Sequence, residues 1–165
     1  MQSMTTTTDP LALKAAFARI PTGVTAVCAE VEGELIGMAA SSFTAVSLDP
    51  PLVSLCVMNG SRTWRRLQDA QRLGISLLGA DQGAVCGALS AKEGDRFAGV
   101  DTVVTPGGAV LVQGAGVALE CEIQSVQPAG DHLLVLFRVV GLDVDTEREP
   151  LVYLAGRFRD LVTSR

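Results

Sequence analysis

Apolar residues recur along the chain with a helical and a strand period. Leu13, Phe17 and Ile20 follow helical spacing behind Asp9-Pro10, a cap residue with a proline at the first helical position. A helix is therefore predicted from residue 10 until Pro21-Thr22-Gly23 ends it. Residues 24–31 are apolar and β-branched, Glu32-Gly33 reads as a hairpin turn, and 35–40 is the returning strand. A polar stretch, Ser41-Ser42-Phe43-Thr44, comes next. Asp49-Pro50-Pro51 then forces a turn, because neither proline can donate to a ladder. Residues 52–58 form another strand. Asn59-Gly60-Ser61 leads into a short helix carrying Trp64 and Leu67, and 73–78 is a strand. Residues 82–89 form a second short helix with Val85 and Leu89 on one face, and 91–100 is a loop rich in charge and glycine. Long strands over 117–126 and 132–144 are joined by Pro128-Ala129-Gly130-Asp131, a strong hairpin signal. Residues 151–154 and 157–161 make a terminal strand and tail.

No internal repeat or low-complexity linker interrupts this pattern. Strands outnumber helices and several are joined by hairpins, so the expected fold is mainly β: an antiparallel barrel with short helices outside it. Many strands are apolar on both faces, which calls for covering by helices or by a second subunit. One domain is expected over 9–165, behind a disordered lead-in over 1–8 that ends in Thr5 to Thr8.

Composition narrows the function. Of 165 residues, 48% are hydrophobic and 19% charged, which excludes disorder as the main state. The apolar run ending at Phe137 is broken by Arg138, and none approaches the roughly 20 residues of a membrane span. A net charge of −5 and only 4% aromatics argue against a nucleic-acid partner. Cys28, Cys56, Cys86 and Cys121 are widely spaced and the single histidine is His132, so a metal cluster is not expected. The four thiols read as free, buried or half-buried, in a reducing compartment, and no signal peptide is seen, so a cytoplasmic location is expected.

Familiar catalytic motifs are missing. Gly114-x-Gly116 is followed by Leu119 where a dinucleotide turn wants a small residue, and it opens a strand. Gly74-Ile75-Ser76-Leu77-Leu78 lacks the second glycine of a nucleophile elbow. A serine hydrolase would depend on His132, and its neighbour Asp131 is expected on the opposite face of the strand. With so few titratable side chains, chemistry supplied by an organic cofactor is the better expectation, and no catalytic side chain is named.

Several segments together carry a resemblance. They are Phe17-Ala18-Arg19-Ile20-Pro21-Thr22-Gly23-Val24-Thr25, the run from Gly37-Met38-Ala39-Ala40-Ser41-Ser42-Phe43-Thr44 to Asp49-Pro50-Pro51-Leu52-Val53, Gly94-Asp95-Arg96-Phe97-Ala98-Gly99-Val100, Gly130-Asp131-His132, and Pro150-Leu151-Val152-Tyr153. In order and spacing, from about residue 10 to residue 161, the chain resembles the short-chain flavin reductases, the reductase components of two-component flavin-dependent monooxygenases. The family often has Thr and Asn where this chain has Ala39 and Ser41. The resemblance implies a flavin-binding split barrel of Greek-key type, a homodimer with sites near the subunit interface, and FAD or FMN reduced by NADH. No arginine cluster awaits a 2′-phosphate, which leaves NADPH as the second candidate.

Beside that resemblance the residues make physical sense. A flavin ring needs a flat apolar bed with donors at its polar edge. Met38, Ala39, Ala40, Ser41 and Ser42 would let the backbone approach it; the alternative is a strand end that needs small residues for packing. Asn59, Gly60, Ser61, Arg62 and Thr63 offer N–H groups, hydroxyls and a guanidinium for a phosphate, or else an ordinary capped helix with a solvated arginine. Ser90 and Arg96 could close the same region, and Phe97 could cover the ring or sit in the core. Trp64 reads as helix packing rather than a flavin stacker. The resemblance implies that His132 lies by the nicotinamide, with Tyr153 and Arg157 near it; the other reading of His132 is a half-exposed strand end. The expected activity is hydride transfer from NADH to FAD or FMN, with reduced flavin passed to a partner monooxygenase. The rivals are a non-catalytic flavin- or haem-binding barrel and an enzyme like the pyridoxamine-phosphate oxidases, which would call for more basic residues.

Overall fold

The computed structural model describes residues 8–161. In chain order the elements are α1 (Pro10–Phe17), β1 (Thr22–Gly23), β2 (Thr25–Val31), β3 (Glu34–Ala40), β4 (Thr44–Leu48), β5 (Pro51–Met58), α2 (Arg62–Leu67), β6 (Leu73–Leu77), α3 (Gly83–Leu89), β7 (Thr102–Val104), β8 (Val110–Val112), β9 (Val117–Ala129), β10 (His132–Val144), β11 (Val152–Leu154) and β12 (Arg157–Arg159). The lead-in expected over 1–8 lies, apart from Thr8, outside the described residues.

The main sheet has seven antiparallel strands in the order β3-β2-β6-β9-β10-β5-β4. Its two edge strands, β3 and β4, follow one another in sequence, separated only by Ser41-Ser42-Phe43. A sheet whose edges are tied by so short a link must curl until those edges approach. The result is the expected antiparallel barrel with a seam between β3 and β4. Val27, Leu55, Ile75, Val135 and Phe137 fill it, and Trp64 and Leu67 of α2 join the same core. Trp64 meets Phe137 edge to face, ring centroids 6.2 Å apart, so it is a packing residue.

A second layer explains the strands that are apolar on both faces. Residues 25–29 of β2 are all buried. Val27 and Ala29 face the barrel interior, whereas Ala26 and Cys28 meet Leu78, Leu89 of α3, and Val110 and Val112 of β8. The β7–β8 hairpin crosses so close to β6 that a Cβ on Gly74 would stand 2.0 Å from the Val110 carbonyl oxygen. For β2 the expected cover is therefore the chain's own. The outer face of β10 is different: Val140, Leu142 and Val144 are exposed, as is Leu48 of β4.

Some elements depart from the sequence reading. β4 starts inside a stretch read as polar, and the short β7 and β8 were not anticipated. β9 runs on to Ala129, which pairs with His132 at the expected start of β10, so the hairpin turn shrinks to Gly130-Asp131. Gly130 makes this possible with φ +68°. α1 stops at Phe17, and the chain tightens through Arg19 N–H to Ala16 and Ile20 N–H to Phe17 before Pro21. No residue of α1 is buried.

Candidate functional site

The barrel seam opens into a cleft of about 760 Å³, within the range of roughly 300–1,000 Å³ of ligand pockets. One wall is the end of β3 with its continuation, Met38, Ala39, Ala40, Ser41 and Ser42. Among the described residues β3 pairs only with β2, so alternate backbone groups on its other edge face the seam. Small side chains here leave that backbone open to a flat ligand. Gly60, Ser61, Arg62 and Thr63 line another part, Lys92 and Arg96 come from the loop after α3, and His132 comes from the start of β10.

The hydrogen bonds decide what each group can still offer. Ser42 donates to the Cys56 carbonyl and accepts from the Cys56 N–H, both at 2.9 Å, so its hydroxyl ties the β3–β4 link to β5. Ser61 caps α2 by accepting from the Trp64 N–H at 3.1 Å. Thr63 accepts from Arg96 Nη1 at 2.8 Å. Both hydroxyl oxygens are therefore used as acceptors, and both hydroxyl hydrogens remain to be donated. Arg62 has no hydrogen bond or ion pair among the described residues, and a cation in the first turn of a helix gains nothing from the helix dipole. Two hydroxyl donors and one uncommitted guanidinium make a donor set suited to a phosphate.

Arg96 is a strap. Its Nε donates to Ala91 O at 2.7 Å and its Nη1 to Gly37 O at 2.9 Å, besides Thr63, tying the loop to β3 and α2. Phe97 packs against Gly37, where a Cβ would stand 2.7 Å from its ring, and it belongs to the second core. It lines a side groove rather than the cleft. Ser90 and Tyr153 line a smaller cavity of about 200 Å³ that shares Ala39, Ala40 and Ser41 with the cleft. Asn59 donates through Nδ2 to Gly130 O at 3.3 Å and so fastens the β9–β10 turn beside α2. Arg157 stands on exposed β12, outside these cavities.

His132 and Asp131 correct one inference from strand alternation. Asp131 belongs to the turn, not the strand, and its Oδ1 lies 2.7 Å from His132 Nδ1. The hydrogen bond and the charge of His132 hold the Asp131 carboxyl below its ordinary range. With Nδ1 engaged, the imidazole has Nε2 left for a ligand. Sequence reasoning passed over Cys56, Val57, Met58 and Lys92, which also line the cleft. Cys56 to Met58 read as ordinary strand, and only the pairing of His132 with Met58 brings them here.

All four cysteines are free thiols, but Cys56 is exposed rather than buried or half-buried as expected, because its side chain points out of β5 into the cleft. Burial pushes Cys28 and Cys121 up to about 12, and raises Cys86 as well, so these remain protonated at neutral pH. Among the described residues no group of His, Cys, Asp or Glu could hold a metal ion.

Comparison with known proteins places this geometry. The reductase subunit HsaB of a flavin-dependent monooxygenase from Rhodococcus jostii is 31% identical over 150 residues, covering 91% of this chain and 77% of its own length. An NADH-dependent flavin reductase from a Rhodococcus species is 40% identical over 157 residues, covering 92% of this chain and 86% of its own. The NADH:FAD oxidoreductase SgcE6 of Streptomyces globisporus, solved with NAD and FAD fragments, superposes with a TM-score of 0.90 at 35% identity over 97% of both chains. A family model described as flavin reductase like domain matches residues 17–162, a span that takes in every wall of the cleft, and the chain belongs to that family.

Proposed function

We propose that this protein is an NADH-dependent flavin reductase that holds FAD or FMN in the seam cleft and supplies the reduced flavin to a separate flavin-dependent monooxygenase. The observation that carries the reading is the donor set at one part of the cleft, Ser61, Arg62 and Thr63, beside a bare strand edge at Ala39 to Ser41. Phosphate and ring have different needs, and the cleft meets both. When bound, the flavin supplies an acceptor at N5 for the hydride of nicotinamide C4.

The chain's own residues then have positioning roles. Ser61 and Thr63 donate to the flavin phosphate and Arg62 offsets its charge. Arg96 holds Thr63 and the loop in place. Asp131 fixes the His132 ring, whose Nε2 orients the nicotinamide carboxamide, and Ser90 and Tyr153 border the adjoining cavity. Hydride transfer needs reacting atoms stacked roughly 3–3.5 Å apart rather than a nucleophile. The protein is proposed to act as a homodimer in the cytoplasm. Free thiols accord with a reducing compartment, and no described helix is long and apolar enough to cross a membrane.

The test is NADH oxidation followed at 340 nm with FAD or FMN in excess. Flavin-dependent turnover is expected, with reduced flavin recoverable by a monooxygenase added separately. Absence of any flavin-dependent NADH oxidation by the folded protein would end this reading.

A further inference from the structure

A side groove of about 310 Å³ leaves the main cleft between α2, the start of β3 and the loop at 94–97. It shares Arg62, Thr63 and Arg96 with the cleft. Beyond them it is lined by Leu35, Ile36 and Phe97, and by Glu34, Arg66 and Asp95. Three guanidinium groups thus face two carboxylates. Both carboxylates are engaged: Glu34 pairs with Arg66 at 2.6 Å, and Asp95 accepts from the Phe97 N–H at 2.8 Å. The Arg66–Glu34 pair is largely solvent exposed, so it contributes little to stability and is cheaply exchanged for another anion.

We infer that this groove takes the adenylate half of FAD, so that the protein selects FAD over FMN. The inference rests on reading the main cleft as the flavin site. The junction of the two cavities is the set Arg62, Thr63 and Arg96. A flavin whose phosphate is gripped there ends at the junction if it is FMN. A dinucleotide must continue past it, and the groove is the continuation that carries further cations. Arg66 meets the second phosphate after turning from Glu34, and the apolar wall of Leu35, Ile36 and Phe97 receives the adenine.

Fluorescence titration of the whole protein with FMN and with FAD tests this, using wild type, Arg66→Ala and Glu34→Gln. Wild type should bind FAD about tenfold or more tightly than FMN, the scale of one charge-assisted hydrogen bond. Arg66→Ala should erase that preference while FMN affinity stays at the wild-type value. Glu34→Gln, which frees Arg66, should preserve or increase it. Equal wild-type affinities, or an Arg66→Ala variant that weakens both flavins alike, would overturn the assignment. So would a variant with unchanged flavin affinities and a raised KM for NADH, which would give the groove to the nicotinamide dinucleotide. Failure of both flavins to bind wild type would remove the cleft reading itself.

Discussion

Ser61 and Thr63 stand two residues apart, and their substitutions should separate. Ser61 caps α2 through the Trp64 N–H, so Ser61→Ala removes a cap worth about 1 kcal/mol of stability as well as one phosphate donor. Thr63 caps nothing; its oxygen takes a hydrogen bond from Arg96. Both variants should weaken flavin affinity roughly tenfold, since a hydrogen bond to a charged group is worth about 1.5–3 kcal/mol, but Ser61→Ala should also lower Tm. Titration and melting of the two proteins check this, and unchanged affinity in both would take the phosphate away from this loop. At His132 the expectation is kinetic. His132→Ala should leave flavin affinity intact and raise the KM for NADH by a factor of roughly 2 to 12, the value of one neutral hydrogen bond. A loss near the roughly 10²–10⁴-fold of a general base would assign it proton transfer instead. The Asp131 contact that orients the ring persists at neutral pH and is lost only as pH falls through its lowered pKa. The cleft walls at 39–42 and 60–63 were legible because polar or small groups cluster there in short runs. The strap at Arg96 was legible only as a charge. Two of its acceptors are backbone carbonyls, which a side-chain pattern does not report.

Among the elements, the pattern of apolar residues revealed those whose faces differ in burial or are uniformly buried. β2, β3, β5 and β6 read cleanly for that reason. β7 and β8 are three residues long, too short for a period, and their partner is each other. β4 lies at a sheet edge with exposed residues at four of five positions, so little in it marks a core face. The glycine of β6 records the missing layer more directly. Gly74 sits on a strand where a side chain would ordinarily pack, and only the crossing of β8 accounts for it. Gly74→Ala would drive a methyl group into the Val110 carbonyl. Because the obstacle is backbone, the hairpin must shift, and a loss of about 1–3 kcal/mol is expected. A lower denaturation midpoint checks it; wild-type stability would mean that the hairpin moves freely.

At the scale of the whole molecule, the two-sided apolar strands posed a choice between cover by the chain itself and cover by a second copy. β2 is answered by α3 and the β7–β8 hairpin. α1 and the outer end of β10 are not. Leu11 is 77% exposed, Phe17 65%, Leu142 70% and Leu48 97%. Single exposed apolar residues are ordinary, but these stand on a helix with no buried residue and on β10 and β4, the two strands that flank β5 in the sheet. The sequence could not apportion the cover, because an apolar face looks the same whether a helix or a second copy lies on it. The proposed homodimer accounts for it, provided the interface reaches the roughly 1,200–2,000 Å² that a stable association buries. Light scattering should then report about twice the chain mass of 17.2 kDa. Leu48→Glu with Leu142→Glu should shift the protein to monomer, since the new charges would be stranded in an apolar interface. Because those side chains are already solvent exposed in the single chain, the monomer fold should survive, with circular dichroism unchanged. A wild-type protein of single-chain mass would show that this face has no second copy to meet, and a double variant that stays dimeric would move the interface elsewhere on the barrel.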